Sequence, residues 1–167
     1  MAINPCSLCG QDAECSPDPD YDRQWVRCGA CGLYSIGGLT TNAGFDEDQM
    51  AGRHILAYLT RSASDAGQPL VITQQTLNTL LGSVVEFPPL EKMDRTLVCV
   101  NNQQERPDQG VDIELARDFP LVMARDADEF GSYLELLNDR GLIDGLNTIG
   151  GHFRSTRLTP DGWEQVG

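Results

Sequence analysis

The sequence predicts an α+β chain, with a short N-terminal module of strands built around cysteines and a mostly helical body behind it. Three observations carry that prediction. Cys6, Cys9, Cys28 and Cys31 form two Cys-x-x-Cys pairs near the start of a 167-residue chain. Apolar residues recur at helical spacing between Asp48 and Val100. A capped helical stripe near Asp126 is followed by two short β-prone runs and a Thr-Pro helix start.

In the N-terminal module, Gln11 to Glu14 and the turn-rich Ser16-Pro17-Asp18-Pro19-Asp20 rule out a helix between the cysteine pairs. Tyr21 to Arg27 reads as a strand, with Tyr21, Arg23 and Trp25 on one side and Val26 on the other. Gly37 to Gly44 reads as a linker or tight connection. A helix is expected over Asp48–Ser62, with Ala51, Ile55, Leu56 and Leu59 as its apolar stripe. Thr73 caps a shorter helix bearing Leu77, Leu80 and Leu81. Pro88-Pro89 opens another, with Leu90, Met93, Leu97 and Val100 on one face, and Asn101 to Gly110 reads as a loop.

From Val111 the pattern changes. Asp126 and Glu129 have capping spacing, Phe130, Leu134 and Leu137 form the stripe behind them, and Gly141 ends the helix. Leu142-Ile143, turns at Asp144-Gly145 and Gly150-Gly151, and Phe153 to Leu158 read as a strand pair. Thr159 and Pro160 start a last helix, which is cut off at Gly167 after barely two turns and suits either a trimmed chain or a part of a longer polypeptide.

The cysteine spacing is the strongest chemical signal. Eighteen residues separate the two Cys-x-x-Cys pairs, enough for a hairpin that brings them together. A two-residue spacer lets both thiolates of a pair face one tetrahedral ion. Gly10 and Gly32 each follow the second cysteine of a pair, where a positive φ lets backbone N–H groups turn toward the sulfurs. Free thiols or redox pairs are the alternatives, but a thioredoxin-like site needs a βαβ pattern that the sequence does not display. The quartet is therefore expected to bind Zn2+ as a structural ion, and residues 1–38 to form a zinc ribbon. Cys15 reads as a bystander among acidic and turn residues, and Cys99 as a small core hydrophobe.

Charge limits the partners. The chain has 25 acidic and 12 basic side chains, a net charge of −13. It repels nucleic acid and anionic membranes unless its cations are clustered. Met1 to Pro5 lacks the basic and apolar regions of a signal peptide, and no apolar run reaches the roughly 18 residues of a membrane helix. A reducing cytosol is the expected location, which suits cysteines used as ligands and core residues.

No catalytic constellation emerges. His54 and His152 have no nucleophile beside them in sequence, and no phosphate-binding glycine loop or Gly-x-Ser-x-Gly elbow occurs. Residues 111–167, within a body spanning 45–167, look like a winged helix: Leu137 to Ile143, a hairpin, then Leu158 to Gly162. The helix before that wing carries Asp126, Asp128, Glu129, Glu135 and Asp139 against one Arg140, the wrong sign for phosphates. Nucleic-acid contact is left to His152, Arg154 and Arg157 on the wing.

The Cys-x-x-Cys-Gly knuckles, Ile55 to Thr60, Glu91 to Arg95 and the ending Leu158-Thr159-Pro160-Asp161-Gly162-Trp163-Glu164 together resemble the N-terminal part of a loose family of bacterial proteins. In that family this part precedes a TIR-like or nucleoside-deoxyribosyltransferase-like effector domain, and some members are thought to act in phage defence. The resemblance implies a non-catalytic sensor, adaptor or oligomerisation module serving an attached effector or protein partner, with a homo-oligomer left open. It carries over no catalytic residue. The alternative is a nucleic-acid-binding transcriptional regulator that uses the ribbon and the wing.

Overall fold

The structure, a computed structural model, describes residues 2–37, 45–148 and 151–167. The chain divides into two compact units, Met1–Glu86 and Phe87–Gly167. Most of the expected Gly37–Gly44 linker, and Gly150 of the expected wing turn, lie outside the described residues.

The first unit is a five-stranded sheet with helices. Strands β1 (Ala2–Pro5), β2 (Asp12–Pro17), β3 (Arg23–Cys28) and β4 (Gly32–Gly37) pair antiparallel in chain order. Alternation puts Cys15, Val26 and Tyr34 in one buried row, since Cys15 pairs with Val26 and Val26 with Tyr34. Cys15 is thus a core residue of β2 and no bystander, because the strand runs on to Pro17 before the chain turns. The strand expected from Tyr21 begins at Arg23; Arg23 Nε is bonded to Asp18 at 2.7 Å across the hairpin tip, its guanidinium 4.2 Å from the Tyr21 ring centre.

Helices α1 (Glu47–Ala51) and α2 (Arg53–Asp65) replace the single helix expected over Asp48–Ser62. They meet at Gly52, which caps both and where a Cβ would lie 2.7 Å from a Leu81 methyl. The buried face of α2 runs through His54, Leu56, Ala57 and Thr60, which leaves Ile55 and Leu59 half-buried. Strand β5 (Val71–Ile72) then pairs parallel to β4. This creates a βαβ connection that the sequence did not display, but the cysteine loops lie outside its strand-to-helix junction. Helix α3 (Gln74–Gly82) follows, capped by the Thr73 hydroxyl as expected.

The second unit opens with α4 (Pro89–Gln103), which extends three residues into the expected loop. Met93, Leu97 and Val100 are buried, but Leu90, in the first turn before the helix reaches the core, is 65% exposed. After it come β6 (Val111–Glu114), α5 (Leu115–Asp118), a 3-10 turn (Phe119–Val122), α6 (Ala127–Asp139), β7 (Ile143–Thr148), β8 (His152–Leu158) and α7 (Pro160–Val166). The antiparallel sheet has the order β6-β8-β7. Asp144-Gly145, expected to turn, instead lies within β7 at an irregular register, because Gly145 packs directly against Thr156. Asp126 caps α6 through the Glu129 N–H, and Gly141 takes the left-handed conformation just past its end.

Phe130, Leu134 and Leu137 on α6 are fully buried with Leu97 and Val100 of α4 and Ile113 and Phe153 of the sheet. Phe130→Ala is expected to destabilise this unit by roughly 3–5 kcal/mol, from lost burial and the cavity left behind. Chemical denaturation followed by Trp163 fluorescence checks it.

Candidate metal centre

Each cysteine pair sits on a tight loop between antiparallel strands. Cys6 and Cys9 occupy the β1–β2 connection, where Gly10 N–H donates to the Cys6 carbonyl at 2.8 Å and Cys6 N–H to the Gln11 carbonyl at 2.7 Å. Cys28 ends β3, and Cys31 lies just before β4. Both glycines take the expected left-handed conformation, with φ of 77° at Gly10 and 76° at Gly32.

The loops converge. The four sulfurs lie within 4.8 Å of one another, and all six cysteines of the chain are free thiols. Sulfurs of the two loops interleave, with Cys6 to Cys31 at 3.8 Å and Cys9 to Cys28 at 3.4 Å. A tetrahedral ion with metal–sulfur bonds of about 2.3 Å sets its ligands about 3.8 Å apart. The quartet can therefore hold one metal ion, and it closes a four-coordinate shell.

Proton distribution within the cluster points to the same chemistry. Hydrogen bonding to Cys28, then to Cys31 and Cys9, draws the Cys6 thiol far below its usual range. Cys28 is lowered to about 7, chiefly by Cys31. Cys9 and Cys31 are pushed strongly up, Cys28 being the leading cause for both. Without a cation, a few thiolates thus force their neighbours to keep protons; a divalent ion removes that conflict by letting all four ionise. Tyr34, wholly buried, places its hydroxyl 3.1 Å from Cys6 Sγ. Burial, then the charge on Cys6, pushes the phenol up, so it stays protonated and donates to the sulfur.

Helix α2 reaches both loops. Arg53 Nη1 donates to the Ser7 carbonyl at 3.4 Å, and Arg61 Nη1 to the carbonyls of Gly29 and Ala30 at 3.1 and 3.2 Å. The Ser64 hydroxyl accepts from Leu33 N–H at 2.9 Å. Tyr34, Arg53, Arg61 and Ser64 had no signal in the sequence beyond residue type, because only the fold brings them to the cysteines.

The other candidates fall elsewhere. His54 Nδ1 lies 3.1 Å from the Ala51 carbonyl and its Nε2 3.2 Å from Glu86. His152 opens β8, opposite Thr148 and Glu114. Arg154 is exposed, while Arg157 is bonded to Asp144 at 2.9 Å. Burial pushes the Glu129 carboxyl up, but hydrogen bonds from Arg125 N–H, Tyr133 and the buried Lys92 outweigh it and hold the carboxyl below its ordinary range. Among the described residues, no second cluster of potential ligands accompanies the quartet.

The two loop glycines separate backbone from packing. A Cβ at Gly10 meets nothing within 4 Å, whereas one at Gly32 would lie 2.5 Å from Ser64 Cβ. Gly10→Ala is expected to cost only the left-handed backbone penalty, about 1–2 kcal/mol, and Gly32→Ala clearly more. Denaturation midpoints of the two metal-loaded variants test the difference.

No protein-family model, characterised protein or solved structure matches the chain, so what the site does follows from its own chemistry.

Proposed function

We propose that this chain is a zinc-binding, non-catalytic interaction module, in which the zinc is structural and the body serves a protein partner or an attached effector in a bacterial cytosol. The closed four-sulfur shell carries the reading. Zinc suits four thiolates in a tetrahedron, and a catalytic zinc keeps an open position for water that this shell does not leave. The contacts that engage His54 and Glu129 add support, since each is met by residues of its own unit. No helix among the described residues is long and apolar enough to cross a membrane. Service in phage defence rests on the sequence resemblance.

The purified chain is expected to carry about one zinc per molecule. Cys28→Ser should abolish stoichiometric loading and destabilise the cysteine-bearing unit by several kcal/mol. Elemental analysis and thermal denaturation measure both; a well-folded, metal-free protein would exclude the reading.

A nucleic-acid-binding regulator is the second reading. The order of elements in the second unit, with its β6-β8-β7 sheet behind α6, favours a winged helix. Electrostatics oppose the regulator. Of the four arginines in the first unit, Arg23, Arg27 and Arg61 already face Asp18, Glu14 and Asp65. On the wing Arg157 faces Asp144. With a Debye length of about 8 Å at about 0.15 M salt, scattered cations cannot offset the acidic surface. Binding to labelled duplex DNA is therefore expected to be no tighter than about 10⁻⁴ M. Micromolar binding in fluorescence anisotropy, lost on replacing Arg154 and Arg157 by Ala, would establish the regulator instead.

A further inference from the structure

Arg53 is the exception among the arginines of the cysteine-bearing unit. The other three each face a carboxylate, at 2.7 Å for Arg23, 4.0 Å for Arg27 and 2.9 Å for Arg61. Among the described residues, Arg53 has no carboxylate within ion-pair distance; its one bond runs to the Ser7 carbonyl at 3.4 Å. Its side chain is half-buried, and its Nε is shut off from solvent with no acceptor. A guanidinium nitrogen removed from water with no acceptor is costly, and the charge it belongs to has no counter-ion beside it. In a chain of net charge −13 such a gap is not for want of carboxylates.

The missing charge has a source close by. Ser7 lies between the ligands Cys6 and Cys9. Four thiolates on a divalent ion carry a formal charge of about −2, held in a buried pocket where screening is weak. We propose that the loaded metal centre is the counter-ion of Arg53, and that Arg53 and Arg61 make α2 part of that centre, so that metal occupancy and docking of α2 rise and fall together. The proposal rests on reading the quartet as a zinc site.

The geometry of α2 supports the coupling. Arg53 and Arg61 are eight residues apart, near two full helical turns, so one helix spans about 12 Å and holds one loop with each guanidinium. Ser64, one turn further, closes on Leu33 N–H and fills the space beside Gly32. At its start α2 has only Gly52 as N-cap, with no side-chain hydrogen bond. A helix of 13 residues so weakly capped depends on its tertiary contacts. The carbonyls that Arg53 and Arg61 grip belong to the peptide units between ligand cysteines, so gathering the sulfurs fixes where those carbonyls stand.

The test uses the whole chain and zinc itself, in competition with a chromogenic chelator. At low ionic strength, Arg53→Gln, which keeps a hydrogen-bond donor and removes the charge, and Arg53→Ala should each weaken zinc binding about 10- to 100-fold. Arg53→Lys should stay within about threefold of wild type, and the loss in Arg53→Gln should largely persist in high salt, since the pair is shielded from screening. Arg27→Ala, an exposed arginine paired to Glu14, serves as control and should change little. Hydrogen exchange supplies a second readout: chelation should strip protection from amides of Arg53–Asp65 and spare those of Pro89–Gln103 in the other unit. Wild-type affinity in Arg53→Gln, equal losses in the Gln and Lys variants, or an α2 indifferent to chelation would each overturn the proposal and leave the zinc reading standing. A wild-type chain that takes up no metal would overturn both.

Discussion

The cysteine-bearing unit turns on a repulsion. Four sulfurs share one buried pocket, and each thiolate that forms makes the next harder to form. Nothing in the surrounding protein resolves that conflict fully. Tyr34 donates one hydrogen bond, and the left-handed glycines let the loops curl around the sulfurs. Only a cation makes four thiolates mutually compatible. The sheet around them is small, and its β1 edge is exposed at all four residues, so this polar nucleus occupies the place that a larger apolar core would otherwise take.

The ligands were legible in the sequence because their signal is local. A two-residue spacer and a following glycine depend on nothing beyond one loop, and both loops appear as expected. Caps at Thr73 and Asp126 were legible for the same reason. What escaped is non-local. Gly52 divides the helix, and Leu81, 29 residues on, packs where its Cβ would stand. Strand β5 is two residues long and exists only because β4 offers an edge. Arg53 and Arg61 look like ordinary solvated helix residues until the helix lies against the cysteine loops.

The second unit is organised around a different polar feature. Lys92, almost wholly buried, places Nζ 3.2 Å from Glu129, which also accepts from Tyr133 at 2.7 Å and from Arg125 N–H. This network joins α4 to α6 beside the apolar contacts of Leu97 and Phe130. Such a pair adds little net stability against a hydrophobic substitute, but removing one partner strands a charge in the interior. The sequence offered Glu129 as a capping residue, and its reach across to another helix depended on the packing.

The parallel pairing of β5 with β4 also bears on how the protein is made. Ser35 and Ile36 emerge from the ribosome some 36 residues ahead of their partners Val71 and Ile72, with α1 and α2 between them. At about 5–20 residues per second, the delay is on the order of seconds. During that interval the four cysteines are already outside, while Arg61 and Ser64 are still to come. The carbonyls of Gly29 and Ala30 are then hydrated, and β4 presents an unfilled edge of the kind that recruits foreign strands. A nascent chain stalled before residue 61 is therefore complete in its sulfur ligands and open along its sheet, a species suited to capture by a chaperone or by another copy of itself.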